Sequence, residues 1–116
     1  CLVGCGGDRD RGKRGQMGSA AVKGSDRVWF TSDNPRSEDP SAIIHDMLEP
    51  LKTPDSSRVY RQADRAKAIA EAIESAGADD ILLIAGKGHE QTQEINGEFL
   101  PFSDFAIVDQ LQSGKN

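Results

Sequence analysis

The sequence predicts an α/β fold in which helices cover both faces of a mostly parallel, doubly wound sheet. Short runs of β-forming residues alternate along the chain with segments whose apolar residues have helical spacing. Residues 81–85 are continuously apolar, which is typical of a strand covered on both faces. Asn96 and Gly97 lie between two further β-forming runs and predict a C-terminal hairpin. This alternation is the pattern of a Rossmann-like sheet.

The strand predictions follow the β-forming residues in chain order. Residues 2–4 form a short apolar run, and residues 27–31 contain Val28, Trp29 and Phe30. Residues 58–60 predict a weaker third strand, and residues 81–85 the strongest one. The hairpin is predicted over residues 91–95 and 98–100. Trp29 and Phe30 are therefore expected in the core.

Apolar spacing and capping residues predict four helices between these strands. Asp39 with Pro40 marks the start of the second helix, the third runs between Asp64 and Gly77, and Ser103 caps the fourth. The first is short and is weakened by three nearby glycines. In chain order, the apolar positions are Met17, Ala20 and Ala21; Ile44, Met47, Leu48 and Leu51; Ala66, Ile69, Ala70 and Ile73; Ile107, Val108 and Leu111.

Length and charge limit the classes of protein that fit. The chain has 116 residues and a formal net charge of -5, which is ordinary for one soluble domain. An acidic balance argues against a non-specific nucleic-acid or anionic-membrane binder. The sequence contains neither a membrane-spanning apolar run nor a secretory leader, so a cytoplasmic location is expected. Cys1 and Cys5 would lie about 13 Å apart across an extended segment, too far for a disulfide.

Three polar loops follow predicted strands, at residues 4–14, 32–36 and 86–90. In open α/β sheets, ligands bind in the crevice outside the carboxyl ends of the strands. Cations and carboxylates occur together in these loops, which suits a small ligand that carries charges of both signs. The alternative interpretation is a solvated, charged rim.

The first loop matches part of a phosphate-binding P-loop, with Gly7, Gly12 and Lys13 at the required spacing. Arg14 replaces the hydroxyl residue that would bind magnesium, and charged side chains fill residues 8–11. Gly4 and Gly6 also lack the third glycine of a dinucleotide fingerprint. The sequence therefore disfavours a phosphate site in this loop.

The second and third loops contain the strongest candidate binding residues. Pro35 restricts Asn34 to extended conformations, so Arg36 stands on a stiff turn and suits a carboxylate ligand. In the alternative, Arg36 pairs with nearby Glu38 or Asp39. In the third loop, Glu90 could bind an ammonium group. No partner identifies His89 as a general base, and His45 is expected in solvent.

Together these loops resemble the C-terminal domain of the Mur ligases, and among them the members that add meso-diaminopimelate to UDP-N-acetylmuramoyl-L-alanyl-D-glutamate. The segments that carry the resemblance are GCGGDRDRGKR at 4–14, TSDNPRSEDP at 31–40 and IAGKGHE at 84–90. The resemblance implies an ATP-dependent amide ligase of cell-wall (peptidoglycan) biosynthesis, which activates the D-glutamyl carboxylate as an acyl phosphate.

The same resemblance implies a site for meso-diaminopimelate. The residues it assigns to that ligand are Arg9, Asp33, Asn34, Pro35, Arg36, Gly86 and Glu90. It places no catalytic residue and no metal ligand in this chain, since ATP and Mg²⁺ bind mainly in a central domain. Lysine lacks the second carboxylate and would leave Arg36 unpaired, so diaminopimelate is expected over lysine.

The resemblance also implies that residues 1–116 are a C-terminal domain without its first strand and helix, and without the N-terminal and central ATPase domains. We therefore expect an N-terminally truncated sheet that is inactive alone and meets the UDP-linked substrate only through the missing domains. One alternative is a stand-alone Rossmann-like module that binds a nucleotide or an anion without catalysis. Another is a pure interaction domain, which would leave the polar crevice unexplained.

Overall fold

The structure, a computed structural model, describes residues 1–8, 11–51 and 57–113. Three short strands, β1 (Leu2–Val3), β2 (Val28–Phe30) and β3 (Val59–Arg61), form a parallel sheet in the order β1-β2-β3. A separate antiparallel hairpin contains β4 (Thr92–Ile95) and β5 (Glu98–Pro101). Asn96 and Gly97 join its strands with φ of 51° and 80°, the positive values that a type I′ turn requires.

Four helices occupy the predicted segments: α1 (Arg14–Lys23), α2 (Pro40–Leu48), α3 (Arg65–Ser75) and α4 (Asp104–Ser113). Short 3₁₀ turns precede α1 at Arg11–Lys13 and follow α2 at Glu49–Leu51. The predicted caps at Asp39 and Ser103 are confirmed, because they accept backbone N–H bonds from Ser41 and Ala106. Asp64, the predicted start of the third helix, caps it by accepting a bond from the Lys67 N–H.

The core lies on both faces of the sheet, as expected of a doubly wound fold. Alternate strand residues point to opposite faces, so Phe30 packs towards α2 while its neighbour Trp29 packs towards α3. One cluster gathers around Ile43 and Met47 of α2, and the other around Ile69 of α3 with apolar residues of α4. Trp29 and Phe30 are both buried, which confirms their predicted place in the core.

Residues 81–85 do not form the buried strand that the sequence predicts. They follow β1 in parallel, with one bridge between Leu2 and Ile84 and hydrogen bonds from Leu2 N to Leu83 O and from Ala85 N to Leu2 O. Their outer side has no neighbouring strand in the described part of the chain, and Ile81 is 95% exposed. The apolar run therefore lies at the edge of the sheet, beside β1.

The first helix packs mainly through residues that the apolar pattern does not identify, although Ala21 of that pattern does contact the core. Met17 and Ala20 are exposed, whereas Arg14 and Gly18 are buried. A Cβ on Gly18 would overlap the carbonyl oxygen of Met47 in α2. The glycine that weakens the helix locally is the residue that lets α1 lie against α2.

Candidate functional site

The three polar loops meet at one edge of the sheet, as the strand order requires. Gly7 of the first loop donates its N–H to the Asn34 carbonyl at 2.7 Å. A Cβ on Gly7 would overlap the Pro35 carbonyl oxygen, so the two loops touch through their backbones. The third loop follows residues 81–85, which run parallel to β1 on the side away from β2. The loops therefore meet at the switch point of the sheet, the usual ligand crevice.

Arg36 is held in this crevice by residues distant in the sequence. Its Nε donates to Glu94 Oε1 at 3.0 Å, and Nη1 donates to the Gly7 carbonyl at 2.8 Å. Its backbone has φ of 53°, a left-handed conformation that costs about 1–3 kcal/mol in a residue other than glycine. The alternative pairing with Glu38 or Asp39 is wrong, since Glu94 of β4 is the partner.

Strand β4 holds the rest of the segment 33–36 as well. Gln93 donates from Nε2 to the Asp33 carbonyl at 2.7 Å, and Glu94 N–H donates to Asn34 Oδ1 at 3.0 Å. Arg36 N–H bonds to the Glu94 carbonyl at 2.9 Å. The hairpin thus fixes the backbone and side chains of the second loop from the outside.

The predicted site residues occupy distinct positions in the crevice. Pro35 is buried and contacts Gly7 through its backbone, while Asp33, Asn34 and Arg36 are half-buried. Gly86 is exposed, and the Glu90 side chain is 46% exposed. Asn34 Nδ2 lies 3.4 Å from Glu90 Oε1, which joins the second and third loops. Arg9 lies outside the described residues.

Lys87, for which the sequence indicated no role, is the most buried charge of the crevice. Its side chain is fully buried, and Nζ donates to Asn34 Oδ1 at 3.0 Å and to the Thr92 carbonyl at 2.9 Å. It also lies 3.2 Å from Asp33 Oδ1. His89, by contrast, is exposed, as is His45, which confirms the expectation for His45.

The first loop is fixed by its own ion pairs. Arg14 is buried and bonds to Glu38 at 2.6 Å, to Asp46 at 2.9 Å and to the Gly6 carbonyl at 3.2 Å. The Arg14 hydrogen bond, helped by one from Asp8 N–H, lowers the pKa of Glu38 from its ordinary 4.5 to about 2. Glu38 therefore remains ionised in all but strongly acidic solution.

This geometry does not suit the phosphates of ATP. A P-loop needs exposed backbone amides around the phosphates, but Gly7 packs on Pro35 and its N–H is bonded to Asn34. Arg14, at the position of the magnesium-binding hydroxyl, is buried among carboxylates. The described residues of the first loop thus do not fit a triphosphate with its magnesium ion.

Cys1 and Cys5 are free thiols, as the spacing predicts. Burial raises the pKa of Cys5, whose Sγ lies 3.4 Å from Met17 Sδ. Within residues 1–8, 11–51 and 57–113, no group of three His, Cys, Asp or Glu side chains is placed to hold a metal ion. The same residues contain no helix long and apolar enough to span a membrane.

Several supporting residues have no signal in the sequence. Lys87, Glu94, Arg14 and Arg65 each act through partners 24 to 58 positions away. A single sequence does not say which of many charges will meet across such distances. A local feature that could have drawn attention to Lys87 is its place between two glycines in the loop after an apolar run.

Fold and crevice define a doubly wound α/β domain whose polar loops meet at the switch point of the sheet. A family model, described as the glutamate ligase domain of Mur ligases, matches residues 1–88. The chain belongs to the Mur ligase family, which confirms the resemblance seen in its loops.

Two curated proteins and one solved structure that are similar to this chain bear one name. The chain is 54% identical over 110 residues to the UDP-N-acetylmuramoyl-L-alanyl-D-glutamate--2,6-diaminopimelate ligase of Neisseria meningitidis serogroup A, covering 95% of the chain and 22% of that protein. It is 54% identical over 104 residues to the ligase of that name from Pseudomonas putida, covering 90% and 21%. A solved structure titled as this ligase has a TM-score of 0.88 and 47% identity, covering 99% of the chain and 24% of its own. The chain thus spans about a fifth of its relatives' length.

Proposed function

We propose that this chain is the C-terminal, amino-acid-binding domain of an ATP-dependent ligase that joins meso-diaminopimelate to UDP-N-acetylmuramoyl-L-alanyl-D-glutamate in peptidoglycan biosynthesis. The observation that carries the proposal is the crevice itself. Arg36, Asn34 and Glu90, from two loops more than 50 residues apart, stand together at the carboxyl edge of the sheet. Relatives that bear this ligase's name align with 95% of the chain in one case and 99% in another.

The proposed ligand fits the charges of the crevice. The far end of meso-diaminopimelate carries a carboxylate and an ammonium group. Arg36 is a guanidinium whose Nη2 bonds to no described residue, so it offers a donor to the carboxylate. Glu90 offers a carboxylate to the ammonium, and Gly86 is proposed as a further contact from the same loop. Arg9 is proposed as a second donor to a carboxylate.

The residues of this chain bind and orient the amino acid, and the chemistry of activation is proposed to lie elsewhere in the full-length protein. ATP and Mg²⁺ would supply an acyl phosphate of the D-glutamyl carboxylate. The first loop does not suit a triphosphate, which supports binding of ATP mainly outside this chain and disfavours the stand-alone nucleotide module. By holding the far end, this domain would direct the near amine of the ligand towards that acyl group.

The domain boundary is likewise a proposal. We propose that residues 1–116 lack the first strand and helix of this domain, and that the N-terminal and central ATPase domains complete the protein. The outer edge of residues 81–85 supports the proposal of a missing strand. Ile81 and Leu83 are 95% and 61% exposed, and the backbone there is open to a further strand. The reaction is proposed to occur in the cytoplasm, where ATP is available and the two free thiols stay reduced.

The decisive experiment is Arg36→Ala in the full-length protein. Losing a charged hydrogen bond of about 1.5–3 kcal/mol should raise the KM for meso-diaminopimelate about ten- to a hundredfold. Arg27→Ala is the matched control, because Arg27 lies at the opposite end of β2. An unchanged KM in the Arg36 variant would contradict the assignment. The 116-residue chain alone is expected to show no ligase activity.

A further inference from the structure

Lys87 is a buried cation at the centre of the proposed site, and its burial calls for an explanation. Its ammonium donates hydrogen bonds to Asn34 Oδ1 at 3.0 Å and to the Thr92 carbonyl at 2.9 Å, and it forms an ion pair with Asp33 Oδ1 at 3.2 Å. It also lies 3.9 Å from Glu90 Oε1. Three loop or hairpin segments therefore converge on one atom.

Burying an ammonium costs free energy that a methionine of the same length would avoid. Hydrogen bonds to the ammonium offset part of that free energy only while every partner stays in place. Such a group tends to specify an arrangement more than it stabilises a fold. At Lys87 the specified arrangement is that of Asp33, Asn34 and Glu90, which are three of the proposed ligand contacts.

The charge of Lys87 matters as well as its hydrogen bonds. Asp33 and Glu90 bring two carboxylates to the same crevice, and Lys87 is the only cation among the described residues that pairs with either. Without Lys87, the negative charges of Asp33 and Glu90 would act on the ligand with no paired cation beside them. A ligand carboxylate nearby would then be repelled, although an ammonium would still be attracted.

We infer that Lys87 is a positioning residue for the amino-acid ligand: it orients Asn34 and Asp33 and offsets the charge of Asp33 and Glu90, so that a zwitterionic end group is accepted. The inference rests on the proposed function of the same crevice. Lys87 itself touches protein groups and is fully buried, so it acts through its neighbours.

The test is Lys87→Met in the full-length ligase, which keeps the length and apolar stem of the side chain and removes its charge. The KM for meso-diaminopimelate should rise at least tenfold. The KM values for ATP and the UDP-linked substrate should stay within about twofold, and kcat at saturation within about threefold. Lys67→Met, at an exposed lysine on α3, is the control and should change none of them.

A double-mutant cycle separates positioning from a general loss of structure. If Lys87 acts through Asn34, then Lys87→Met added to Asn34→Ala should raise the KM for meso-diaminopimelate by less than about threefold further. If Lys87→Met fails to fold, Lys87→Arg is decisive, because it keeps the cation. Recovery of the KM for meso-diaminopimelate to within about threefold of native supports positioning.

The outcomes distinguish the two proposals. If the native protein uses no meso-diaminopimelate, the proposed function fails whatever Lys87 does. If the native protein uses it and Lys87→Met has a native KM, only the role of Lys87 is overturned. A loss spread equally over all three substrates, in the Met variant or in the Arg variant, would also overturn it, since that is the signature of a purely structural residue.

Discussion

Individual charges at the crevice are held by partners from other loops, and this explains how a charged rim can be rigid. Glu38 shows the arrangement most clearly, because it accepts hydrogen bonds from Arg14, Arg11 and the Asp8 N–H. These contacts bind the middle and end of the first loop to Glu38, just before α2. The stability of the crevice edge should therefore depend on the ionisation of one carboxylate.

We predict that stability falls in acid through Glu38. Its folded pKa, about 2, lies below its ordinary 4.5, so the stabilisation it provides is full above pH 4.5 and is lost as pH falls towards 2. Glu38→Gln should make the free energy of unfolding smaller at neutral pH and less dependent on pH between 4.5 and 2. Urea denaturation at several pH values measures this. Equal pH dependence in native and variant protein would contradict it, and exposed Glu74→Gln is the control.

At single residues, the sequence identified the side chains of the polar loops better than the residues that support them. Asn34, Pro35 and Arg36 form a local motif whose stiffness follows from proline, and the structure places them at the crevice. Glu94 was not predicted as the partner of Arg36. The two residues are 58 positions apart, and whether they meet depends on the whole fold. Locally, Glu38 and Asp39 were equally plausible partners.

At the scale of elements, α1 and α2 approach each other through a glycine contact. Gly18 lies against the backbone of Met47, and Gly15 lies against Pro50 in the turn after α2. Because these two glycines have no side chains, α1 and α2 can pack with their backbones close together. The local helix propensity of α1 is lowered as a result, and packing compensates for it.

Gly18→Ala should therefore destabilise the chain, although alanine is the better helix former. The added Cβ meets backbone atoms that cannot rotate away, so we expect a loss of about 1–3 kcal/mol in the free energy of unfolding. Gly77→Ala is the matched control. Its Cβ would meet nothing nearer than 3.6 Å, and its effect should stay within about 0.5 kcal/mol. A stabilised Gly18 variant would refute the close packing.

Elements with local signals were predicted well. The Asn96-Gly97 turn and the caps at Asp39 and Ser103 depend on residues within a few positions, and all of them are confirmed. Residues 81–85 were predicted as a strand covered on both faces, and that is wrong for the described structure. Coverage of a strand depends on what packs beside it, which its own residues do not specify.

Across the whole molecule, Arg65 joins parts that the sheet alone leaves separate. It binds Asp104 through two hydrogen bonds of 2.8 Å, and it also donates to the carbonyls of Ser32 and Ala85. The ends of β2 and of residues 81–85 are thus tied to α3 and α4 through one guanidinium. Both charges are buried, so each depends on the other.

Arg65→Met should cost about 3–5 kcal/mol in the free energy of unfolding, because it leaves Asp104 buried without its partner. Adding Asp104→Asn removes the unpaired charge, so the double variant should be more stable than the sum of the two single changes predicts. Guanidinium denaturation of all four proteins measures the coupling. Strictly additive losses would show that the pair does not act as a unit.

The contacts of the hairpin with residues 33–36 bear on attempts to alter which amino acid is accepted. Gln93 and Glu94 hold that segment from a position beyond the part of the chain that the family model matches. Transplanting the loop alone into a related scaffold would leave its arginine without the carboxylate that orients it. The smallest exchangeable unit is the loop together with the hairpin, and protein engineers would need to move both as one cassette.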